Sequence, residues 1–170
     1  MLRPDVYWLR EIPDLHFALM PRPRGGEWLS EEILGWHAAG IRNVVSLLER
    51  DEAFELGLER EEAQCSSTGL NFVSFPIPDR GVPDAHADFT GLINALVERL
   101  RAGDSVAVHC RAGIGRSGLV GACVLGQLGV APASAFAMLS RARGVAVPDT
   151  EAQAKWVREF MRGQTGATRR

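Results

Sequence analysis

Lysine is all but missing from this chain: Lys155 stands alone beside 18 arginines. The bias fits codon usage in a GC-rich genome and carries no mechanistic weight. Charge excess is missing as well. The 19 basic and 21 acidic residues leave a formal net charge of -2, which argues against a general nucleic-acid binder but leaves room for a local anion site. Cysteine is scarce. Cys65, Cys110 and Cys123 are odd in number and widely spaced, so they form neither a disulfide framework nor a zinc site, and they fit a reducing cytoplasm. No window approaches the ~18 apolar residues of a membrane helix. The charged segment up to Asp14 does not read as a signal peptide. There is no internal repeat and no interdomain linker.

What remains is an ordinary globular composition, 46% hydrophobic and 24% charged over 170 residues. It predicts one domain over residues 1–163, followed by a polar, basic tail over residues 164–170 that frays.

Apolar patterning alternates between strand and helix. Val6 to Leu9, Leu15 to Leu19, Ile41 to Leu48, Leu70 to Ile77 and Ser105 to His109 read as strands. Helices are expected from Ser30, as N-cap, to Ala39, over Glu52 to Gln64, over Ser117 to Leu128, over Ser134 to Arg143 and over Thr150 to Arg162. The helix after Asp84 is the clearest, because Phe89, Leu92, Ile93, Leu96, Val97 and Leu100 form a 3.6-residue stripe. Strands buried on both sides and alternating with helices imply an α/β fold, with a central, mostly parallel sheet flanked by helices.

One segment stands apart: His109-Cys110-Arg111-Ala112-Gly113-Ile114-Gly115-Arg116-Ser117-Gly118. It lies between an apolar strand and an apolar helix, so backbone N–H groups converge where the helix dipole is positive, and such a place suits an anion. Gly113 and Gly115 let the backbone curl around a ligand. A helix N-terminus and a nearby guanidinium favour a thiolate, which makes Cys110 a nucleophile rather than a core residue. Arg116 can bind two phosphate oxygens with its planar fork. Ser117 can donate to the cysteine sulfur. His109 is not expected to serve Cys110 as a base, because adjacent strand residues face opposite ways; it is expected to fix the loop through the backbone. Cys123 is expected in the core, and Cys65 at a helix end rather than as a resolving thiol.

Cys110-x5-Arg116-Ser117, preceded by His109, resembles the signature loop of cysteine-dependent protein tyrosine phosphatases. From about Leu15 to Phe160 the chain resembles a small atypical dual-specificity phosphatase. The resemblance implies helices on both faces of the sheet and hydrolysis through a phosphocysteine intermediate, without metal or other cofactor. It implies that Cys110, Arg116, Asp79 and Ser117 are catalytic. The backbone of Arg111, Ala112, Gly113, Ile114, Gly115 and Arg116 would hold the phosphate. The family carries a general acid on a loop about thirty residues before the cysteine, and the resemblance gives that role to Asp79, which lies in Pro76-Ile77-Pro78-Asp79-Arg80-Gly81 directly after a strand, 31 residues before Cys110. Asp84 competes for that role but suits the N-cap of the next helix. Pro148-Asp149-Thr150 and Gln153 resemble the border of the pocket, where Asp149 or Gln153 would position water.

The implied partner is a phosphorylated protein or peptide, with phosphotyrosine foremost and neither nucleic acid nor membrane. The protein is expected to be a cytoplasmic monomer. Two other readings stay open: a phosphate-binding interaction module without turnover, and a sulfurtransferase resembling rhodanese.

Overall fold

The computed structural model describes residues 3–167. Five strands among the described residues form one sheet in the order β1-β2-β5-β3-β4. They are β1 (Tyr7–Trp8), β2 (Phe17–Met20), β3 (Asn43–Ser46), β4 (Asn71–Ser74) and β5 (Val106–His109). Only the β1–β2 pair is antiparallel. Strands β2, β3 and β5 are buried at every position, as expected of parallel strands covered on both faces.

Seven α-helices among the described residues complete the fold: α1 (Leu29–Ala38), α2 (Arg50–Glu55), α3 (Glu61–Thr68), α4 (His86–Arg101), α5 (Gly115–Gln127), α6 (Pro132–Arg143) and α7 (Glu151–Ala167). On one face Phe17, Leu19, Val45, Val106 and Val108 pack against α4, α5, α6 and α7. On the other, Ala18, Met20, Val44 and Ala107 meet Leu29, Ile33 and Trp36 of α1 and Cys65 of α3. All six residues of the predicted α4 stripe are buried. No helix among the described residues is long and apolar enough to cross a membrane.

Three local expectations fail. The helix read over Glu52 to Gln64 is two helices, α2 and α3. The break falls at Gly57, whose φ is +71°, and Gly26 N–H donates to the Gly57 carbonyl at 3.0 Å; a tertiary contact overrides local helix propensity. Ser30 lies inside α1, because a 3-10 turn over Gly26–Trp28 starts the helix earlier. Asp84 caps nothing: α4 begins at His86 with Ala85 at the N-cap and no side-chain cap. At the C-terminus α7 continues to Ala167, beyond residue 163, and residues 168–170 lie outside the described part.

Candidate active site

The C-terminal ends of β5, β3 and β4 lie side by side, with Ser46 in register with His109 and with Ser74. In open α/β sheets this is the edge where loops gather and ligands bind. The Cys110 loop leaves β5, the central strand of the five-stranded sheet. Gly113 has φ +73°, and a Cβ there would meet the Met20 carbonyl at 2.5 Å. Arg22 N–H donates to the Arg111 carbonyl at 3.1 Å. The loop is therefore pressed against the end of β2, and only glycine fits at 113. On its other side a Cβ at Gly115 would lie 3.0 Å from Asp149 Cβ, so the segment before α7 also packs against the loop.

Arg116 lies in the first turn of α5 yet is almost fully buried. Its Nη1 donates to Glu52 Oε1 at 2.8 Å, to Glu52 Oε2 at 3.1 Å and to the Ile77 carbonyl at 3.1 Å. Nη2 donates to Asp79 Oδ1 at 3.1 Å. Burial works against the guanidinium charge, but the Glu52 hydrogen bonds, followed by the charges of Cys110, Glu52 and Asp79, outweigh it and hold the pKa above its ordinary value. The fork is thus charged and fixed in direction before any ligand arrives.

Asp79 sits on a tight turn after β4, where Gly81 N–H donates to the Pro78 carbonyl at 2.8 Å. Asp79, Cys110 and Arg116 line one cleft of about 230 Å³, with Arg80, Arg111, Ala112, Ile114, Gly115 and Asp149. Asp84, the rival acid, is not among the lining residues. Ser117 Oγ is buried behind the cleft without a hydrogen-bond partner. Gln153 is fully buried beneath the cleft rather than lining it. A larger concavity of about 540 Å³ near Trp8, His16, Arg42 and Asp104 lies at the opposite ends of the strands.

Two buried carboxylates, Glu52 and Glu61, carry no signal in the sequence. Glu52 holds Arg116. Glu61 approaches His109 Nε2 at 2.6 Å, with neither side chain exposed to any extent. His109 Nδ1 faces the Cys110 carbonyl at 3.3 Å, so His109 ties the loop backbone to α3 as well as to the strand. Cys123 is buried in α5, and burial pushes its thiol pKa up. Cys65 is pushed up to about 12 by burial and then by Glu61. No group of three or more metal-ligating side chains occurs among the described residues.

Residues 8–169 match the family described as PTP-SAK: Swiss Army Knife protein, DSP-PTPase phosphatase domain. Cyclin-dependent kinase inhibitor 3 of Sus scrofa is 37% identical over 125 residues, covering 72% of this chain and 58% of that protein. The chain therefore spans less than two thirds of the length of the curated relatives it matches. A kinase associated phosphatase with its catalytic-site cysteine substituted by serine superposes with a TM-score of 0.87 at 22% identity, covering 98% of both chains. Tk-PTP in its active form gives 0.74 at 26% identity, covering 95% of this chain and 99% of its own.

Proposed function

We propose that this chain, which belongs to the DSP-PTPase family of phosphatase domains, hydrolyses phosphoric monoesters on phosphorylated proteins or peptides, phosphotyrosine foremost. The observation that carries this reading is the single small cleft lined by Cys110, Arg116 and Asp79. Nucleophile, charge clamp and proton donor arrive there from three separate elements.

The chemistry runs in two displacements. The Cys110 thiolate attacks phosphorus and the P–O bond to the leaving group breaks. Asp79 gives that oxygen its proton, while the backbone N–H groups of residues 111–116 and Arg116 stabilise the equatorial oxygens. Asp79, now a carboxylate, takes a proton from water as the water oxygen attacks the phosphocysteine, and phosphate leaves with Cys110 restored as thiolate. In the free enzyme Asp79 holds Arg116 Nη2. A phosphate oxygen competes for that donor, so substrate binding releases Asp79 toward the leaving group. Ser117 Oγ, buried and unpartnered, can donate to the departing sulfur. Asp149 lines the cleft and can orient the water.

Arg80 and Arg111 at the rim favour substrates bearing further negative charge. The three free thiols fit a reducing compartment, and a cytoplasmic monomer with neither nucleic acid nor membrane as partner completes the reading. The test is a turnover panel of phosphotyrosine and phosphoserine peptides, a phosphoinositide and an RNA 5′-phosphate. Fastest release from phosphotyrosine is expected. Preference for the lipid or RNA overturns the substrate class, and stoichiometric phosphate binding without turnover makes the chain a binding module.

A further inference from the structure

Gln153 is a fully buried side-chain amide near the cleft, and both of its ends are engaged. Thr150 N–H donates to Gln153 Oε1 at 3.2 Å, and Gln153 N–H donates to Thr150 Oγ1 at 3.1 Å. This reciprocal pair is a capping box at the start of α7. With Oε1 committed to the cap, the direction of the amide is set and Nε2 must point the other way. It donates to the Gly81 carbonyl at 3.1 Å, on the turn that carries Asp79. The amide also packs on the Cys110 loop, since a Cβ at Gly115 would lie 3.2 Å from both of its polar atoms.

That turn needs an outside hold. Arg80 has φ +58°, a left-handed conformation that a residue with a Cβ keeps only where its surroundings impose it. Asp79 itself is mostly exposed and contributes little packing. A second contact, between Arg80 Nη1 and Asp149 Oδ2 at 3.3 Å, is open to solvent on both sides and is correspondingly weak. The buried amide is the firmer of these two ties, and unlike the Arg116 Nη2 contact to Asp79 it does not compete with a bound phosphate.

We infer that Gln153 is a positioning residue for the general acid: through Gly81 it fixes the turn that aims Asp79 into the cleft, instead of orienting the hydrolytic water. The inference rests on the phosphatase reading above. It deepens that reading by assigning the two carboxamide ends separate tasks, one to the helix cap and one to the acid turn.

Gln153→Glu separates those tasks. A carboxylate still accepts from Thr150 N–H and keeps the cap, but it sets an acceptor against the Gly81 carbonyl and cuts the tie. Wild type, Gln153→Glu and Asp79→Asn are compared on aryl phosphates of rising leaving-group pKa. The loss in Gln153→Glu is expected to grow with leaving-group pKa and to reach about tenfold or more at the basic end, within the ~10²–10⁴-fold that a positioned acid contributes. Trypsin cleavage after Arg80 is expected to speed up several-fold in the same variant, a readout that needs no turnover. A uniform loss across the series, with phosphocysteine accumulating, assigns Gln153 to the water step and overturns the inference. Unchanged cleavage at Arg80 overturns it too. A wild type that turns over none of the series sinks the phosphatase reading itself, whereas a steepened Asp79→Asn line beside an unsteepened Gln153→Glu line sinks only the role of Gln153.

Discussion

Glu52 grips one nitrogen of Arg116 with both carboxylate oxygens, at 2.8 and 3.1 Å, across 64 residues of sequence. Both side chains are nearly dry. Breaking a buried pair typically costs about 3–5 kcal/mol, and the contact that Arg116 keeps with the mostly exposed Asp79 places the loss at the lower end. Glu52→Ala is therefore expected to lower unfolding stability by about 3 kcal/mol and to reduce turnover as well, because the fork loses its orientation. Urea titrations check the first part. A midpoint equal to that of wild type would mean that Glu52 does not hold the arginine in solution.

Arg116→Lys keeps the charge and discards the geometry. A lysine ammonium is a point charge that cannot serve Glu52, the Ile77 carbonyl and a phosphate in one plane. The expected loss in kcat/KM is about 10²–10³-fold, the scale of removing an oxyanion donor. Binding of inorganic phosphate should weaken far less. Near-native kinetics in this variant would reduce Arg116 to a buried structural cation.

Much of this site can be read from the sequence because its centre is contiguous. Cys110 through Ser117 form one unbroken stretch, a loop that runs into the first turn of α5, and the flanking apolar runs identify β5 and α5 by composition alone. The α4 stripe is equally plain, since one face of a long helix meets the core. Glu52 and Glu61 are different. Each sits in a run of charged residues, Glu49 to Glu52 and Glu59 to Glu62, that reads as solvated surface. Their burial is decided by Arg116 and His109, 64 and 48 residues away, and no local pattern encodes such partners. The break between α2 and α3 was hidden for the same reason: Gly57 sits in a helix-favouring stretch and turns because Gly26 meets it.

The two thiols outside the cleft make the fold sensitive to alkali. Burial, and then Glu61, push Cys65 up to about 12, while an unfolded cysteine ionises near ~8.5. Between those values the folded state keeps a proton that the unfolded chain has lost. Stability is therefore level below ~8.5 and falls as pH rises toward 12, by on the order of 1 kcal/mol per thiol per pH unit. Cys123 acts in the same direction. Urea midpoints at pH 8 and pH 10 should differ in wild type and differ less in Cys65→Ala. Equal pH dependence in the two proteins would show that Cys65 ionises freely inside the fold.

Gly113 and Gly126 offer a matched pair of alanine substitutions with opposite consequences. At Gly113 the backbone is left-handed, at φ +73°, and the new methyl would meet the Met20 carbonyl at 2.5 Å. Met20 is held in β2 opposite His109, so neither partner can withdraw without shifting the strand or the loop. The left-handed conformation alone costs about 1–2 kcal/mol, and the backbone collision adds to it. At Gly126 the nearest atoms are Met161 Cε at 2.4 Å and Sδ at 2.6 Å, the far end of a flexible side chain that can rotate aside. Alanine there also gains about 1 kcal/mol of helix propensity over glycine. Gly113→Ala should lower Tm by about 4 °C or more, at the 2–4 °C per kcal/mol expected of a chain this long, and turnover should fall with it as the phosphate cradle moves. Gly126→Ala should stay within about 3 °C of wild type and keep its turnover. Thermal melts and one phosphate-release assay on the three proteins suffice. If the two variants melt alike, Gly113 is not pressed against β2, and the loop gains its shape from some other constraint.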